Sequence, residues 1–386
     1  MALNCGIVGL PNVGKSTIFS ALTSAKAEAA NYPFCTIDPN VGIVSVPDKR
    51  LGRLSEMFKP KKTIPAAVEF VDIAGLVRGA SKGEGLGNQF LSHIREVGMI
   101  AHVVRCFEDP DIVHVANKVD PIDDIEVIHT ELALADLDSL DKRVEKLQRQ
   151  LKVQDPAVKK ETERELSALA KLRPALQEGK AARSVALDED EAEAVKKSFL
   201  ITMKKELYVC NIDEATASSP ASGPASSQAA AAAAAAGAAH VDKVRARAVA
   251  EGAEAVSICG KFEAELADLG SEEEKREFLA EIGLEESGLS ALAHAAYRLL
   301  GLRTFFTAGE DECRAWTIKV GDKAPQAAGV IHTDFEKGFI KAEVYSFDDL
   351  VALGSEKALR EAGKLRQEGR EYVVQDGDVM FFKFNV

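Results

Sequence analysis

The chain has 386 residues, 46% of them hydrophobic, and this length predicts two or three domains rather than a single core. A formal net charge of −13 disfavours indiscriminate binding to nucleic acid, so any RNA contact must use local basic patches. The six cysteines form no C-x-x-C pair, which argues against a zinc cage and against a disulfide framework. The apolar stretches are too short for a signal peptide or a membrane span, so we expect a cytoplasmic protein with no membrane contact.

A phosphate-binding loop stands near the N-terminus, where residues 9–17 read GLPNVGKST and fit the pattern G-x-x-x-x-G-K-S/T. An apolar run precedes this loop and a helix-forming run follows it, so backbone N–H groups and a helix N-terminus would converge on an anion. We expect Lys15 to reach the terminal phosphates of a nucleotide and Ser16 to offer its hydroxyl to a magnesium ion. The predicted nucleotide-binding residues of this loop are Asn12, Val13, Gly14, Lys15, Ser16 and Thr17.

Two later segments complete the template of a nucleotide hydrolase. A proline-punctuated loop after the first helix holds Thr36, which is expected to coordinate magnesium and to sense the γ-phosphate. An apolar strand at residues 67–71 delivers Asp72, the expected outer-shell partner of magnesium, and Gly75 lets a backbone N–H approach the γ-phosphate. The predicted magnesium set is therefore Ser16, Thr36 and Asp72.

Position 76 departs from that template. Ras-like switches place a glutamine here to orient the attacking water, whereas Leu76 cannot hydrogen-bond a water. Hydrolysis is then either very slow or supported by another polar group. The glycine-rich segment 77–91, together with the sequence DIAG at residues 72–75, resembles the Obg group of P-loop switch proteins.

Two stretches compete for recognition of the base. Residues 117–120 read NKVD, the pattern by which GTPases read guanine, but a charged, proline-broken loop precedes them where a core strand is required. Asn211, Ile212 and Glu214 belong to an N-x-x-E sequence that directly follows a strand-like run. Glu214 is one methylene longer than the guanine-reading aspartate, whereas Asn211 can still pair with adenine N6 and N7. The sequence favours ATP over GTP, and guanine recognition by residues 117–120 remains the alternative.

These motifs together resemble the YchF family, the Obg-like ATPases, over nearly the whole chain. The resemblance implies an α/β fold with a P-loop nucleotide-binding domain of the Obg type, an inserted antiparallel coiled-coil hairpin and a C-terminal β-grasp TGS domain. It also implies Mg²⁺-dependent hydrolysis of ATP and association with the ribosome or its large subunit. By the same resemblance Leu76 marks hydrolases whose catalytic residue lies elsewhere, and His114 is the family's candidate for orienting or deprotonating the water.

Composition and resemblance also predict the domain boundaries. The expected division is a nucleotide-binding domain at residues 1–128 and 200–281, a helical insertion at 129–199, a low-complexity loop at 215–240 and a TGS domain at 303–386. The TGS domain is a candidate for RNA contact, with a purely structural module as the alternative.

The helical insertion carries apolar residues at alternating spacings of three and four, the seam of a coiled coil. Its first helix also carries a basic set, which is a candidate for contact with RNA or a protein and, with equal weight, for a solvated face. The basic set is Lys142, Arg143, Lys146, Arg149 and Lys152.

We therefore predict a magnesium-dependent ATPase switch in which water attacks the bond between the β- and γ-phosphates. The predicted catalytic residues are His114 and Lys15, and Lys15 would stabilise charge together with the loop amides. Association with the ribosome would place the switch in translation or in a stress response. Two alternatives remain open: an Obg-like GTPase that reads guanine with residues 117–120, and a nucleotide-gated binding protein whose turnover is incidental, as Leu76 suggests.

Overall fold

The computed structural model describes residues 4–28, 40–73, 86–115, 118–152, 155–218 and 228–385. The chain divides into two compact units. The first consists mainly of Glu69–Leu292 with the N-terminal residues Met1–Ala25, and the second mainly of Ile43–Val68 and Ala293–Val386. In the described ranges no helix is both long enough and apolar enough to cross a membrane.

The described residues form twelve β-strands. In chain order these are β1 (Asn4–Val8), β2 (Val41–Val46), β3 (Lys62–Ile64), β4 (Ala66–Asp72), β5 (Met99–Arg105), β6 (Glu206–Asn211), β7 (Glu254–Ile258), β8 (Leu302–Ala308), β9 (Glu312–Lys319), β10 (Phe339–Ser346), β11 (Arg366–Glu368) and β12 (Asp378–Phe384). Strands β5 and β6 are buried at every position, as expected for near-continuous apolar runs in a parallel sheet that is covered on both faces.

Fifteen α-helices and three short 3₁₀ helices complete the described secondary structure. The α-helices are α1 (Lys15–Glu28), α2 (Lys49–Phe58), α3 (Leu86–Glu96), α4 (Pro121–Gln150), α5 (Pro156–Gln177), α6 (Glu189–Val195), α7 (Glu214–Ala217), α8 (Gln228–Glu251), α9 (Gly260–Asp268), α10 (Glu272–Glu281), α11 (Gly288–Leu299), α12 (Ala324–Ile331), α13 (Thr333–Lys337), α14 (Phe347–Leu353) and α15 (Glu356–Glu361). The 3₁₀ helices are Ala182–Ser184, Lys196–Ser198 and Ile201–Met203.

A parallel sheet lies at the centre of the first unit. Its strands pair in the order β4-β1-β5-β6-β7, and each of these pairs is parallel. The chain therefore leaves Val8, Asp72 and Asn211, the last residues of β1, β4 and β6, along the same edge of the sheet. Open sheets of this kind bind ligands in the crevice outside that edge, next to the strand at which the order of connection reverses.

Helices α4 and α5 pack against each other as an antiparallel hairpin in the first unit. Their seam is a leucine-rich cluster that includes Leu140, Leu147, Leu169 and Leu172. Helix α5 begins where the side chain of Asp155 accepts hydrogen bonds from the next backbone N–H groups, ahead of a proline at the first helical position. The leucine pattern in the sequence is therefore matched by the packing of the two helices.

One residue of the predicted basic face is not a free surface charge. The guanidinium of Arg143 donates two hydrogen bonds, of 2.7 and 2.8 Å, to the buried carboxylate of Glu165 on the facing helix. Lys142 pairs with Asp138 one turn earlier on its own helix. Arg143 thus holds the hairpin together, because a buried carboxylate requires a charged partner.

The prediction of a low-complexity loop at 215–240 is wrong for much of its length. Residues 214–217 form α7, and α8 begins at Gln228, immediately before the alanine run. Alanine has the highest intrinsic helix propensity, so a long alanine run extends the helix that follows it. Gly237 lets α8 approach α7 closely, since a Cβ atom there would lie 2.2 Å from the hydroxyl of Thr216.

The second unit is a mixed sheet with its own aromatic core. Its strands lie in the order β11-β10-β12-β8-β9-β3. Strand β10 is antiparallel to β12, β8 is antiparallel to β9, and β3 is parallel to β9. Phe305, Phe339 and Phe382 are buried together at its centre, and Trp316 stacks on the first of them. The segment Ile43–Val68, which the sequence analysis had assigned to the nucleotide-binding domain, is grouped with this unit, and its strand β3 pairs in this sheet.

Candidate nucleotide-binding site

The phosphate loop joins β1 to α1 through two residues with left-handed backbone conformations. Asn12 has φ of 62° and Gly14 has φ of 89°, and the carbonyl of Gly14 accepts the first hydrogen bond of α1 from Ile18 at 3.1 Å. A side chain is excluded at position 14, because a Cβ atom would lie 2.0 Å from Nδ2 of Asn211. The glycine is thus required both by its own backbone and by its neighbour.

A cavity of about 660 Å³ lies at the carboxyl edge of the parallel sheet. It is lined by the phosphate loop, by Phe107 to Asp109 with Ile112, by Asn211 to Asp213 and by Gly260 with Lys261. Within it Lys15 is half-buried, while Ser16 and Thr17 are exposed. This volume is within the range of small-molecule sites, and the cavity brings the predicted phosphate loop and the predicted base motif to one place.

Asn211 joins the base motif to the phosphate loop. Its Nδ2 donates to the carbonyl of Val13 at 2.9 Å, and its Oδ1 accepts from the N–H of Gly260 at 3.4 Å. Asn211 thus connects three segments that surround the cavity. Its amide keeps a second N–H and a second oxygen lone pair, so the pairing with adenine N6 and N7 stays a prediction.

Glu214 and Asp213 face different surroundings. Glu214 is half-buried as the first residue of α7, and its Oε2 lies 3.5 Å from Nζ of Lys261. Asp213 lines the cavity, but its carboxylate accepts a hydrogen bond from the N–H of Thr216 at 2.7 Å and caps α7. Each of the two carboxylates therefore already has a partner within the protein.

Asp72, the predicted outer-shell partner of magnesium, lies at the carboxyl end of its strand. It ends β4, beside Ile7 of β1, and its Oδ1 is buried with no hydrogen-bond partner among the described residues. Buried carboxylate oxygens require a partner, so this oxygen fits a hydrated cation or one of its waters. Thr36 and Gly75 lie outside the described residues, as does Leu76.

His114, the predicted residue for orienting or deprotonating the water, has a buried position in the structure. It does not line the cavity, and its Nε2 lies 3.0 Å from Oδ2 of Asp124 in the first turn of α4. Burial raises the pKa of the Asp124 carboxyl, and the hydrogen bond and charge of His114 oppose that shift. The imidazole is thus held against the first turn of α4, at the foot of the helical hairpin.

The loop that carries His114 is organised by Arg105, a residue that the sequence analysis missed. Its guanidinium is fully buried and donates to the carbonyls of Phe107, Asp109 and Ile112 at 3.0, 3.2 and 3.0 Å. Burial lowers its pKa, and its Cζ lies 4.6 Å from the centroid of the Phe107 ring. An arginine at the end of an otherwise apolar strand was the available signal, because such a charge must find buried acceptors.

The phosphate loop contacts the same segment directly. Nδ2 of Asn12 donates to the carbonyl of Val113 at 3.1 Å, next to His114 in sequence. The segment from Phe107 to Val113 is thereby connected to the strand that precedes it and to the loop expected to hold phosphate. Val113 therefore connects the phosphate loop to His114, its neighbour in the sequence.

Comparison with known proteins supports the resemblance seen in the sequence. A protein of Bacillus subtilis named "Ribosome-binding ATPase YchF" is 54% identical over the full length of both chains. A protein of Escherichia coli O157:H7 with the same name is 51% identical, again over both full lengths. The chain belongs to the YchF family. The relationship predicted from the motifs is therefore confirmed.

Two family models and one solved structure agree with this membership. Residues 4–155 match the model described as a 50S ribosome-binding GTPase, and residues 302–385 match the C-terminal YchF GTPase model, described as a protein of unknown function. The structure of the Schizosaccharomyces pombe YchF GTPase aligns with a TM-score of 0.84 at 38% identity, covering 99% of this chain and 97% of that one. The YchF fold with its P-loop GTPase domain thus extends over the chain.

The NKVD sequence has a structural use in this YchF-family chain. Asn117 lies outside the described residues, whereas Asp120 caps α4 by accepting a hydrogen bond from the N–H of Ile122 at 3.3 Å. Lys118 pairs with the same carboxylate at 3.3 Å. Neither Lys118 nor Asp120 lines the cavity. The pattern coincides with the start of a helix, where an aspartate ahead of a proline is favoured.

Proposed function

We propose that this chain is a magnesium-dependent ATPase that hydrolyses ATP to ADP and phosphate. The observation that carries the proposal is the cavity itself, in which the phosphate loop meets the strand end that bears the N-x-x-E sequence. The curated relatives are named ribosome-binding ATPases, whereas the solved relative is titled a GTPase. The nucleotide is therefore the first property to test.

In the proposed reaction the phosphates lie on the loop between β1 and α1. The N–H groups of residues 12–17 and the ammonium of Lys15 bind the phosphate oxygens and stabilise the charge that develops as water attacks the γ-phosphate. Ser16, Thr36 and Asp72 would hold Mg²⁺, with the backbone of Gly75 near the γ-phosphate. When bound, Mg²⁺ neutralises charge on the β- and γ-phosphate oxygens.

The preference for ATP rests on what the base motif lacks. A guanine-reading site needs an aspartate that accepts from two donors on one edge of the base. Here the corresponding residue is Glu214, which is near Lys261, while Asp213 is engaged by its own helix. Asn211 and Ile212 then shape the pocket for the base, the first by bracing the loops and the second by lining the cavity.

His114 is the proposed residue for orienting or deprotonating the attacking water. Since its imidazole is buried against Asp124, hydrolysis requires that the loop after β5 release His114 toward the phosphates. The buried position favours a second candidate function, a nucleotide-gated binding protein with slow, incidental turnover. In that case nucleotide would change partner binding, and turnover would not depend on His114.

We further propose that α4 and α5 form the coiled-coil arm of the family, that residues 303–386 of the second unit form the TGS domain, and that the protein acts on cytoplasmic ribosomes. Relatives named for ribosome binding motivate the partner. Contact with RNA would use exposed basic residues of the arm, such as Lys146 and Arg149, or the TGS domain. Association with the ribosome would make the protein a switch in translation or in a stress response.

The test compares dissociation constants for ATP and GTP, each with magnesium, in the wild type and in two variants. We expect ATP to bind more tightly, Glu214→Asp to shift the preference toward GTP, and the matched control Asp120→Ala to leave the preference unchanged. Tighter GTP binding that Asp120→Ala abolishes would instead establish guanine recognition by residues 117–120. The rate of ATP hydrolysis by His114→Ala distinguishes the remaining candidates. If the variant still binds ATP but no longer hydrolyses it, the catalytic role of His114 is supported. If hydrolysis is unchanged, the nucleotide-gated binding protein is supported.

A further inference from the structure

A second cluster of metal-binding side chains lies in the first unit at the opposite end of β6 from the base motif. Glu206 is the first residue of that strand and Asn211 the last, so the two are separated by about 17 Å of extended chain. His102 on β5 and His129 on α4 converge on Glu206, and all three side chains are buried. Nothing in the nucleotide chemistry described above uses these three residues.

The three donor atoms are close enough to share one ion. Oε1 of Glu206 lies 2.8 Å from Nδ1 of His102 and 3.2 Å from Nε2 of His129, and the ligand atoms of the three residues all lie within 4.8 Å of one another. Zinc bonds of about 2.0–2.1 Å in tetrahedral geometry separate neighbouring ligand atoms by roughly 3.3 Å. Small side-chain movements would therefore suffice to admit an ion among the three atoms.

The residues around the cluster orient its ligands as metal sites require. Arg183 forms an ion pair with Oε2 of Glu206, and Nε2 of His129 lies 2.9 Å from the same oxygen, while Oε1 faces both imidazoles. The hydroxyl of Tyr208 lies 3.3 Å from Nε2 of His129 and donates to Glu251 at 2.6 Å. A ligating carboxylate is normally held by a further hydrogen bond of the kind that Arg183 gives Glu206.

We infer that His102, His129 and Glu206 bind one zinc ion, with a water or the Tyr208 hydroxyl in the fourth position. Two imidazole nitrogens and one carboxylate oxygen form a donor set that suits Zn²⁺. The rival account is a metal-free network in which both imidazoles donate N–H groups to Glu206. The two accounts differ in a measurable way, because zinc binding displaces those protons and requires both nitrogens as acceptors.

The ion would act on stability and not on the nucleotide reaction. Its ligands join two central strands to α4, the first helix of the hairpin, so binding would fasten the root of the hairpin to the sheet. A ligand that binds only the folded state raises its stability in proportion to the logarithm of ligand concentration over the dissociation constant. We therefore expect zinc to raise the melting temperature without changing the affinity for nucleotide.

The test uses the full chain freed of metal with a chelator and then titrated with Zn²⁺, with Co²⁺ as a spectroscopic substitute. The wild type should bind one equivalent of zinc, and Co²⁺ should give the visible absorption of a tetrahedral site. His129→Asn should weaken zinc binding at least about tenfold, whereas His93→Asn, which alters an exposed histidine on α3, should leave it unchanged.

The wild-type measurement alone can overturn the inference. If the folded, metal-free wild type binds no stoichiometric zinc and its melting temperature does not respond, the cluster is a hydrogen-bond network only. Zinc binding of equal affinity in His129→Asn would assign the ion to other residues and would equally refute the site. Should His129→Asn fail to fold by circular dichroism, His102→Asn takes its place.

Discussion

The carboxyl group of Glu263 gives the first unit a pH dependence that can be measured. Glu263 lies on α9, immediately after the loop that packs on Asn211, and its side chain is buried. Its Oε1 accepts a hydrogen bond from the N–H of Gly288 at 2.7 Å. Burial raises the pKa of Glu263 from 4.5 to about 7, although the backbone N–H groups of Gly288 and Leu289 oppose that shift.

The sign and size of the effect follow from this raised pKa. Between pH 4.5 and about 7 the folded protein retains a proton that the unfolded chain has released. Stability therefore falls as the pH rises through this window and levels off above it. The gap between the two pKa values corresponds to about 3 kcal/mol of unfolding free energy, taken as an upper figure.

The perturbation is Glu263→Gln, which removes the ionisation and keeps an oxygen that can accept from Gly288. Urea unfolding of both proteins should give similar free energies near pH 5 and should favour the variant by up to about 3 kcal/mol near pH 8. The control is Glu265→Gln, an exposed carboxyl on the same helix, for which no such trend is expected. A variant that differs from the wild type by the same amount at every pH would refute the reasoning.

Three further outcomes are expected. In a phosphate-release assay, Asp124→Asn should raise basal ATP hydrolysis about tenfold, because it weakens the hydrogen bond that holds His114. Adding His114→Ala to this variant should abolish the gain. A rate of hydrolysis unchanged by Asp124→Asn would refute the proposed release of His114. Gly14→Ala should weaken ATP binding more than about tenfold by calorimetry, whereas Gly52→Ala, with open space around it, should not. Arg105→Met should lower the unfolding free energy by about 2–4 kcal/mol in urea titrations, since three carbonyls lose their donor; a loss below about 1 kcal/mol would contradict the bracing role.

The parts of the molecule that the sequence predicted well are those with local causes. The strand, glycine-rich turn and helix at residues 4–28 follow from an apolar run, from glycine at a left-handed position and from helix-forming residues after it. Asp155 and the following proline signal the start of α5 in the same way. Family membership could be predicted because several such local motifs occur in one order along the chain.

Some predictions failed where a local signal had two meanings. The alanine-rich stretch before Val241 reads as low complexity, yet the same composition favours a helix once α8 can pack on β6 and β7. Arg143 reads as a surface charge, but the facing helix supplies the buried Glu165. In both cases a distant segment selected one of two locally permitted structures.

The sequence by itself determined the phosphate loop, the order of the strand-end motifs along the chain and the membership of the family. These features could be read from the sequence because glycine positions, apolar periodicity and helix caps act within a few residues. Only the tertiary structure decided that Asn211 braces Val13, that His114 is bound to Asp124 and that Glu206 gathers two histidines. These contacts join residues from different strands and helices, and such pairs meet only when the sheet assembles. The place of β3 in the second sheet has the same origin, since its partner β9 lies far along the chain.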